Sequence, residues 1–330
     1  MEIVIVGHGL AGAILAQNFI KKGVSVCVLD GNKPHAASKV SAGLINPLIG
    51  PKLNIPDDFA DCMEENLAFF PEIEKASGET FLEPIELFRV FTSLVQQKKW
   101  ESLSSPYQVN YLSDGESKAL GVDCPFGLGK TSAWILNTEK FLEYSRFVLR
   151  SKGFYIEKPF EPEDWTGKPV IFCEGFRVTQ NPWFQFLPFA PAQGEVLTIQ
   201  SALKYNLSNG TWHLCNPLSG TAKIGSSWKH ERLEDGPDED AKSQIIHKLG
   251  FIPNIQNQKI MKHSCGVRSG TRDRHPILGR HPEHPNYYIF NGFGSRGCTT
   301  LVKSAHEFIR FFLDDIPLPL SKNLMRFAQK

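Results

Sequence analysis

A chain of 330 residues is too long for one small core and suits one large domain or two interleaved ones. Its 41% hydrophobic and 22% charged content is that of an ordinary globular protein, and a formal net charge of +1 without a long basic run lends nothing to tight, sequence-independent nucleic-acid binding. The seven cysteines are scattered without a C-x-x-C pair, which argues against a disulfide framework or a structural zinc site and fits a reducing compartment.

The chain opens MEIVIVGHGLAGAILAQNFIKKGVSVCVLD. Residues 3–6 are β-branched and continuously apolar, the pattern of a strand buried on both faces. Apolar residues at helical spacing follow over 10–22, and Gly23 stops them. Residues 24–30 then read as a second buried strand. In this β–turn–α–β unit Gly7 permits the sharp turn and Gly9 lets a pyrophosphate approach the backbone. Gly12 lets the helix pack on the sheet, and the first helical residues, Leu10 and Ala11, offer free N–H groups to phosphate. Asp30 ends the second strand, where it can accept from both ribose hydroxyls and repel a 2′-phosphate. The unit predicts a dinucleotide site, NAD or FAD. No basic segment precedes the first apolar run, so no cleaved signal peptide is expected. No stretch approaches about 18 consecutive apolar residues, so no membrane span and a cytoplasmic location are expected.

Residues 57–78 read as a helix with an acidic first turn, kinked or divided at Pro71. Strands are expected over 81–92, a short helix over 93–103, a strand over 131–138 and an amphipathic helix over 138–153. Residues 168–175 form another buried strand ending in Gly175. The segments GEVLTIQ, TWHLCNPL and TAKIGSSW read as an antiparallel meander, and 237–250 as a helix. The tail carries HSCGVRSGTRDRHPILG, then YYIFNGFGSRGCTT, then a helix to about Leu313.

The opening fingerprint, VIFCEG ending at Gly175, and the pair GVRSGTRDRHPILG and NGFGSRGCTT resemble the FAD-dependent D-amino-acid oxidase superfamily, especially glycine and sarcosine-oxidase-like enzymes. GFGSRG is most similar to the oxidase domain of the bifunctional enzyme that modifies the tRNA wobble uridine. Ser132-Ala133 stands where the family commonly has Gly-Gly. The resemblance implies FAD rather than NAD, and an α/β fold whose Rossmann-like FAD-binding domain (1–80, 136–185, 262–330) interleaves with an antiparallel-sheet substrate domain (81–135, 186–261). It implies oxidation of the C–N bond of a small amine or amino acid, with hydride passing to flavin N5. Two alternatives stand beside it. One is an oxidase of a modified wobble uridine, favoured by GFGSRG and disfavoured by the near-zero charge and by the lack of a methyltransferase segment in these residues. The other is a non-catalytic FAD-binding protein.

On that resemblance Arg268 matches the position that grips a substrate carboxylate, against a structural arginine paired with Asp273. Ser41, Ala42 and Gly43 line the path beside the cofactor. Gly292, Gly294, Ser295, Arg296 and Gly297 bring backbone N–H groups and a helix N-terminus to the flavin. Arg296, a cation at that terminus, calls for an anionic partner, reduced flavin or substrate, against an outward arginine in solvent. Asn46 reads equally as a flavin or substrate contact and as an Asn-Pro turn. His8 reads as packing or phosphate edge rather than a base, and Trp134 and 183–189 as core or pocket wall. No metal-ligand spacing is present.

Overall fold

The computed structural model describes residues 2–50, 52–103 and 106–327. Positions 1, 51, 104–105 and 328–330 of the expected domain segments lie outside the described residues. In chain order the elements are β1 (Glu2–Val6), α1 (Leu10–Lys21), β2 (Ser25–Leu29), α2 (Ala37–Val40), β3 (Leu44–Ile45), α3 (Phe59–Ser77), β4 (Leu82–Val90) and α4 (Leu94–Glu101). Then come β5 (Gln108–Leu112), α5 (Asp114–Ala119), β6 (Leu128–Leu136), α6 (Thr138–Ser151), β7 (Tyr155–Ile156), β8 (Val170–Phe172) and β9 (Ala192–Gln200). The chain closes with β10 (Asn206–Ser208), β11 (Trp212–Asn216), β12 (Thr221–Gly225), α7 (Glu239–Lys248), β13 (Ile260–Arg268), β14 (Ile277–Arg280), β15 (Tyr287–Asn291) and α8 (Gly297–Asp314).

Two sheets organise the molecule. The first runs β14-β15-β8-β1-β2-β7, parallel except at β14. Its central strands are apolar on both faces, as a sheet covered on both sides requires. Here both chain ends meet: β1 lies beside β8, and β8 beside β15. The second sheet runs β13-β9-β12-β11-β10-β4-β6-β3, with β5 also on β6, and is antiparallel except where β10 joins β4. The fold is thus α/β with a Rossmann-type sheet and a larger, mainly antiparallel one, the class the sequence predicts. Among the described residues no helix is long and apolar enough to cross a membrane.

One expectation is narrowed and one corrected. α3 is not divided at Pro71 but runs through it for 19 residues. The missing N–H would have bonded the carbonyl of Leu67, and both residues face solvent, so water can satisfy that carbonyl. The 194–228 segment is not a simple meander. β12 inserts between β9 and β11, and a short strand at 206–208, missed in the sequence, carries the sheet on to β4. Three residues give too little periodicity to read.

Candidate active site

Two helices turn their N-termini toward one cavity of about 870 Å³. α1 contributes Gly9, Leu10 and Ala11 to its wall, and the turn entering α8 contributes Gly294, Ser295 and Gly297. Neither helix has a side-chain cap from its N-cap residue, and each end carries partial positive charge toward the cavity.

The local sequence builds this directly. Gly7 sits at φ 102°, and a Cβ there would lie 2.7 Å from the Cys173 carbonyl oxygen. Gly12 does not line the cavity; a Cβ on it would lie 2.0 Å from the carbonyl oxygen of Gly7, so it permits α1 to close on the turn. The Leu10 N–H donates to Ser38 Oγ at 2.9 Å, a contact the sequence did not announce. Asp30 lines the cavity at the end of β2. Its Oδ1 accepts from the Asn32 N–H at 3.0 Å and its Oδ2 from the Tyr155 hydroxyl at 2.7 Å, leaving further lone pairs on both oxygens. Burial and that bond push the Tyr155 phenol up to about 12. His8 is 3% exposed, lies 3.1 Å from Ser145 Oγ through Nε2 and packs edge-on against Tyr155. Burial lowers its pKa to about 4, so it is neutral at pH 7.

Ser41, Ala42 and Gly43 line the same cavity. Ser41 Oγ accepts from the Gly43 N–H at 3.1 Å and lies 3.8 Å from Cys298 Sγ in the first turn of α8. Gly175 lines it too, its carbonyl accepting from Asn291 Nδ2 at 2.9 Å. Gly292 does not; it packs behind the wall, where a Cβ would meet Thr271 Cγ2 at 2.8 Å. Arg296 also lies off the wall. Its Nη2 donates to Asp58 Oδ1 at 2.6 Å, so the anion facing this cation is a carboxylate of the helix α3 N-cap. Burial works to raise the Asp58 carboxyl, and the Arg296 guanidinium more than offsets it, holding the pKa below the ordinary value.

Arg268, at the end of β13, lines the cavity. Its Nη2 donates to Ser226 Oγ at 2.7 Å and its Cζ stands 4.7 Å from the ring centroid of Trp228. The guanidinium lies over Gly194 so closely that a Cβ there would be 1.9 Å from Nη2. Among the described residues no carboxylate pairs with Arg268; Asp273, the structural partner considered from sequence, bonds Arg326 Nε at 2.9 Å instead. Burial lowers the Arg268 pKa to about 10, leaving it cationic at neutral pH. Asn46 lines the cavity while its Oδ1 also accepts from the Leu48 N–H at 3.0 Å, so it is turn and wall together. Among the described residues no cluster of three or more His, Cys, Asp or Glu is arranged for a metal.

Sequence reasoning passed over Ser38, Tyr155, Ser226, Trp228 and Arg89, all but Tyr155 in the cavity wall. Only Arg89 had a readable signal, a charge inside the apolar run LFRVF at 87–91.

A family model described as FAD dependent oxidoreductase matches residues 2–309. The bifunctional protein MnmC of tRNA 5-methylaminomethyl-2-thiouridine biosynthesis from Legionella pneumophila is 23% identical over 364 aligned positions, 90% of this chain and 52% of that protein. The chain therefore spans about half the length of the curated relatives it matches first. Glycine oxidase of Bacillus subtilis is 30% identical over 99 positions, 29% of this chain and 27% of that protein. Among solved structures, iminodiacetate oxidase from Chelativorans sp. BNC1 superposes with a TM-score of 0.78 at 17% identity, covering 97% of this chain and 98% of that one. Glycine oxidase from Geobacillus kaustophilus gives 0.77 at 16% identity, with 96% of each chain covered.

Proposed function

Because the chain belongs to the FAD-dependent oxidoreductase family, we propose that it uses its FAD to oxidise a C–N bond of a small amine or amino acid. The single observation that carries this is a cavity in which two helix N-termini and, among the described residues, an arginine without a carboxylate partner meet. An elongated dinucleotide suits such a cavity: Gly7, Gly9, Leu10 and Ala11 form the diphosphate turn with Gly12 packed behind it, Asp30 the ribose acceptor, and 41–43, Gly175, Gly294, Ser295 and Gly297 the far end.

Bound FAD supplies the two-electron acceptor. The chain's own residues bind and orient. Arg268 holds a substrate carboxylate with its planar fork, fixed from behind by Ser226 and from one face by Trp228. The α8 N-terminus favours negative charge developing beside it. Arg296 acts through Asp58 rather than on substrate, anchoring the entry to α8. The interleaved two-domain division, 1–80 with 136–185 and 262–330 against 81–135 with 186–261, is part of this reading. The two sheets support it, while β3 and residues 262–268 of β13, which that division gives to the FAD-binding domain, lie in the larger sheet.

Purified protein should be yellow and carry FAD, and an anaerobic screen of amines and amino acids should find compounds that bleach it. A chain that takes up no FAD, or flavin that no amine reduces, overturns the reading. A second reading, oxidation of a modified tRNA wobble uridine, is favoured by the alignment with the tRNA-modification protein across 90% of the chain. Gel retardation with total tRNA separates the two; no shift at low salt removes the second.

A further inference from the structure

The cavity wall contains three arginines, Arg89, Arg177 and Arg268. Arg177 is paired, its Nη2 2.8 Å from Glu234. Arg89 is not. It stands on β4 in the middle of LFRVF, with Leu87, Phe88, Val90 and Phe91 all buried around it. The residue is 2% exposed. Its Nη2 donates to the Gly50 carbonyl at 3.1 Å, its Nε has no partner, and no carboxylate pairs with it among the described residues. Burial alone lowers its pKa, to about 10, and the group stays charged at neutral pH. A buried cation without a counter-ion costs several kcal/mol, and a neutral side chain would avoid that cost.

Register shows which way the residue faces. Arg89 pairs with Ser208 on β10, Ser208 with Trp212 on β11, Trp212 with Gly225 on β12, and Gly225 with Val196 on β9. Directly paired residues share a face of the sheet, and Ser208, Trp212 and Val196 all line the cavity. The guanidinium of Arg268 lies over Gly194, two residues before Val196 on β9. The Arg89 position on β4 and the Arg268 guanidinium over β9 therefore share one sheet face, four strand spacings or about 19 Å apart across it and offset by a further two residues along β9.

We propose that Arg89 is a second anion-binding residue of this cavity, and that the substrate carries, beyond the carboxylate held at Arg268, a distal oxyanion that Arg89 receives. This rests on the amino-acid oxidase reading of the site and narrows its substrate class. The substrate is elongated and acidic at both ends, with carboxylate or phosphate as the far group. Glycine is too short to reach both cations.

The test uses the FAD-bound protein and reads ligand binding by perturbation of flavin absorbance. Dissociation constants are measured for α,ω-dicarboxylates from succinate to sebacate and for the monocarboxylates of matching length. At some length the dicarboxylate should bind about tenfold more tightly or better than its partner, the worth of one charge-assisted hydrogen-bonding pair. In R89M that ratio should fall to about one, and R89K should keep part of it. An ω-phosphonocarboxylate series then tells phosphate from carboxylate by which is held more tightly. The proposal is overturned if no dicarboxylate outbinds its monocarboxylate in the wild type, or if the preference survives R89M. It also fails if R89M loses FAD while the preference stays, since the cation would then serve the cofactor. Should R89M not fold, the wild-type series and R89K carry the same test. A chain that takes no FAD sinks the oxidase reading separately; thermal shifts of the FAD-free protein with the same ligands still decide Arg89.

Discussion

Arg268 spends only part of its hydrogen-bonding capacity on the protein, on Ser226 and the Ser227 carbonyl. Arg268→Met should raise KM for a carboxylate-bearing substrate by about 100-fold, the loss of one or two charge-assisted bonds. Arg268→Lys should recover only part of that, because an ammonium is a point charge rather than a fork. Steady-state kinetics on FAD-loaded variants check both, and a KM unchanged in Arg268→Met would remove the residue from substrate binding. His8 makes a different prediction. Its pKa is lowered to about 4 in the fold and is near 6.5 in the unfolded chain. Between those values the unfolded chain binds the extra proton, so the stability tied to neutral His8 is fully present above pH 6.5 and is lost as pH falls toward 4. Over that interval the wild type should lose about 3 kcal/mol more than His8→Leu. Urea melts at pH 6.5 and pH 4 read the difference, and parallel losses would contradict it.

Each helix terminus at the cavity depends on packing behind it. α1 can approach the Gly7 turn because residue 12 has no Cβ. Gly12→Ala forces a carbon to 2.0 Å from the Gly7 carbonyl oxygen, so α1 must move away. Bound FAD per chain and the melting temperature should both fall in Gly12→Ala; full FAD occupancy would show that this turn does not hold the diphosphate. The α8 terminus is tied differently. Asp58 at the N-cap of α3, and Asp61 and Glu65 within that helix, face Arg296, Lys303 and His306 on and just ahead of α8, at 2.6, 2.5 and 2.7 Å. All are partly exposed, so each contributes modestly to stability and more to register. This pairing joins residues more than 200 positions apart and is invisible to local pattern. The elements themselves were legible wherever periodicity ran long, as in α1, α6 and α8. Reading failed at β10, with three residues, and at Pro71 it left a kink or a break open where the helix continues with both Leu67 and Pro71 facing solvent.

At the scale of the whole molecule the chain folds its two ends into one sheet, and the site stands between that sheet and the larger antiparallel one. The sequence made the cofactor end plain, because turn, helix and terminal acid are consecutive and each has a local physical reason. The opposite end was legible only through resemblance to a family. Arg89 gave a local signal, a charge inside an apolar run, but its surroundings depend on register across five strands and on the lack of a paired carboxylate among the described residues. Hydrogen exchange of FAD-free protein, with and without added FAD, tests the central claim most directly. One FAD should protect amides at 7–12, at 41–43 and at 292–301 together, with a rise in melting temperature that grows with FAD concentration. Protection confined to the amino-terminal turn, with the 292–301 segment exchanging as before, would contradict it.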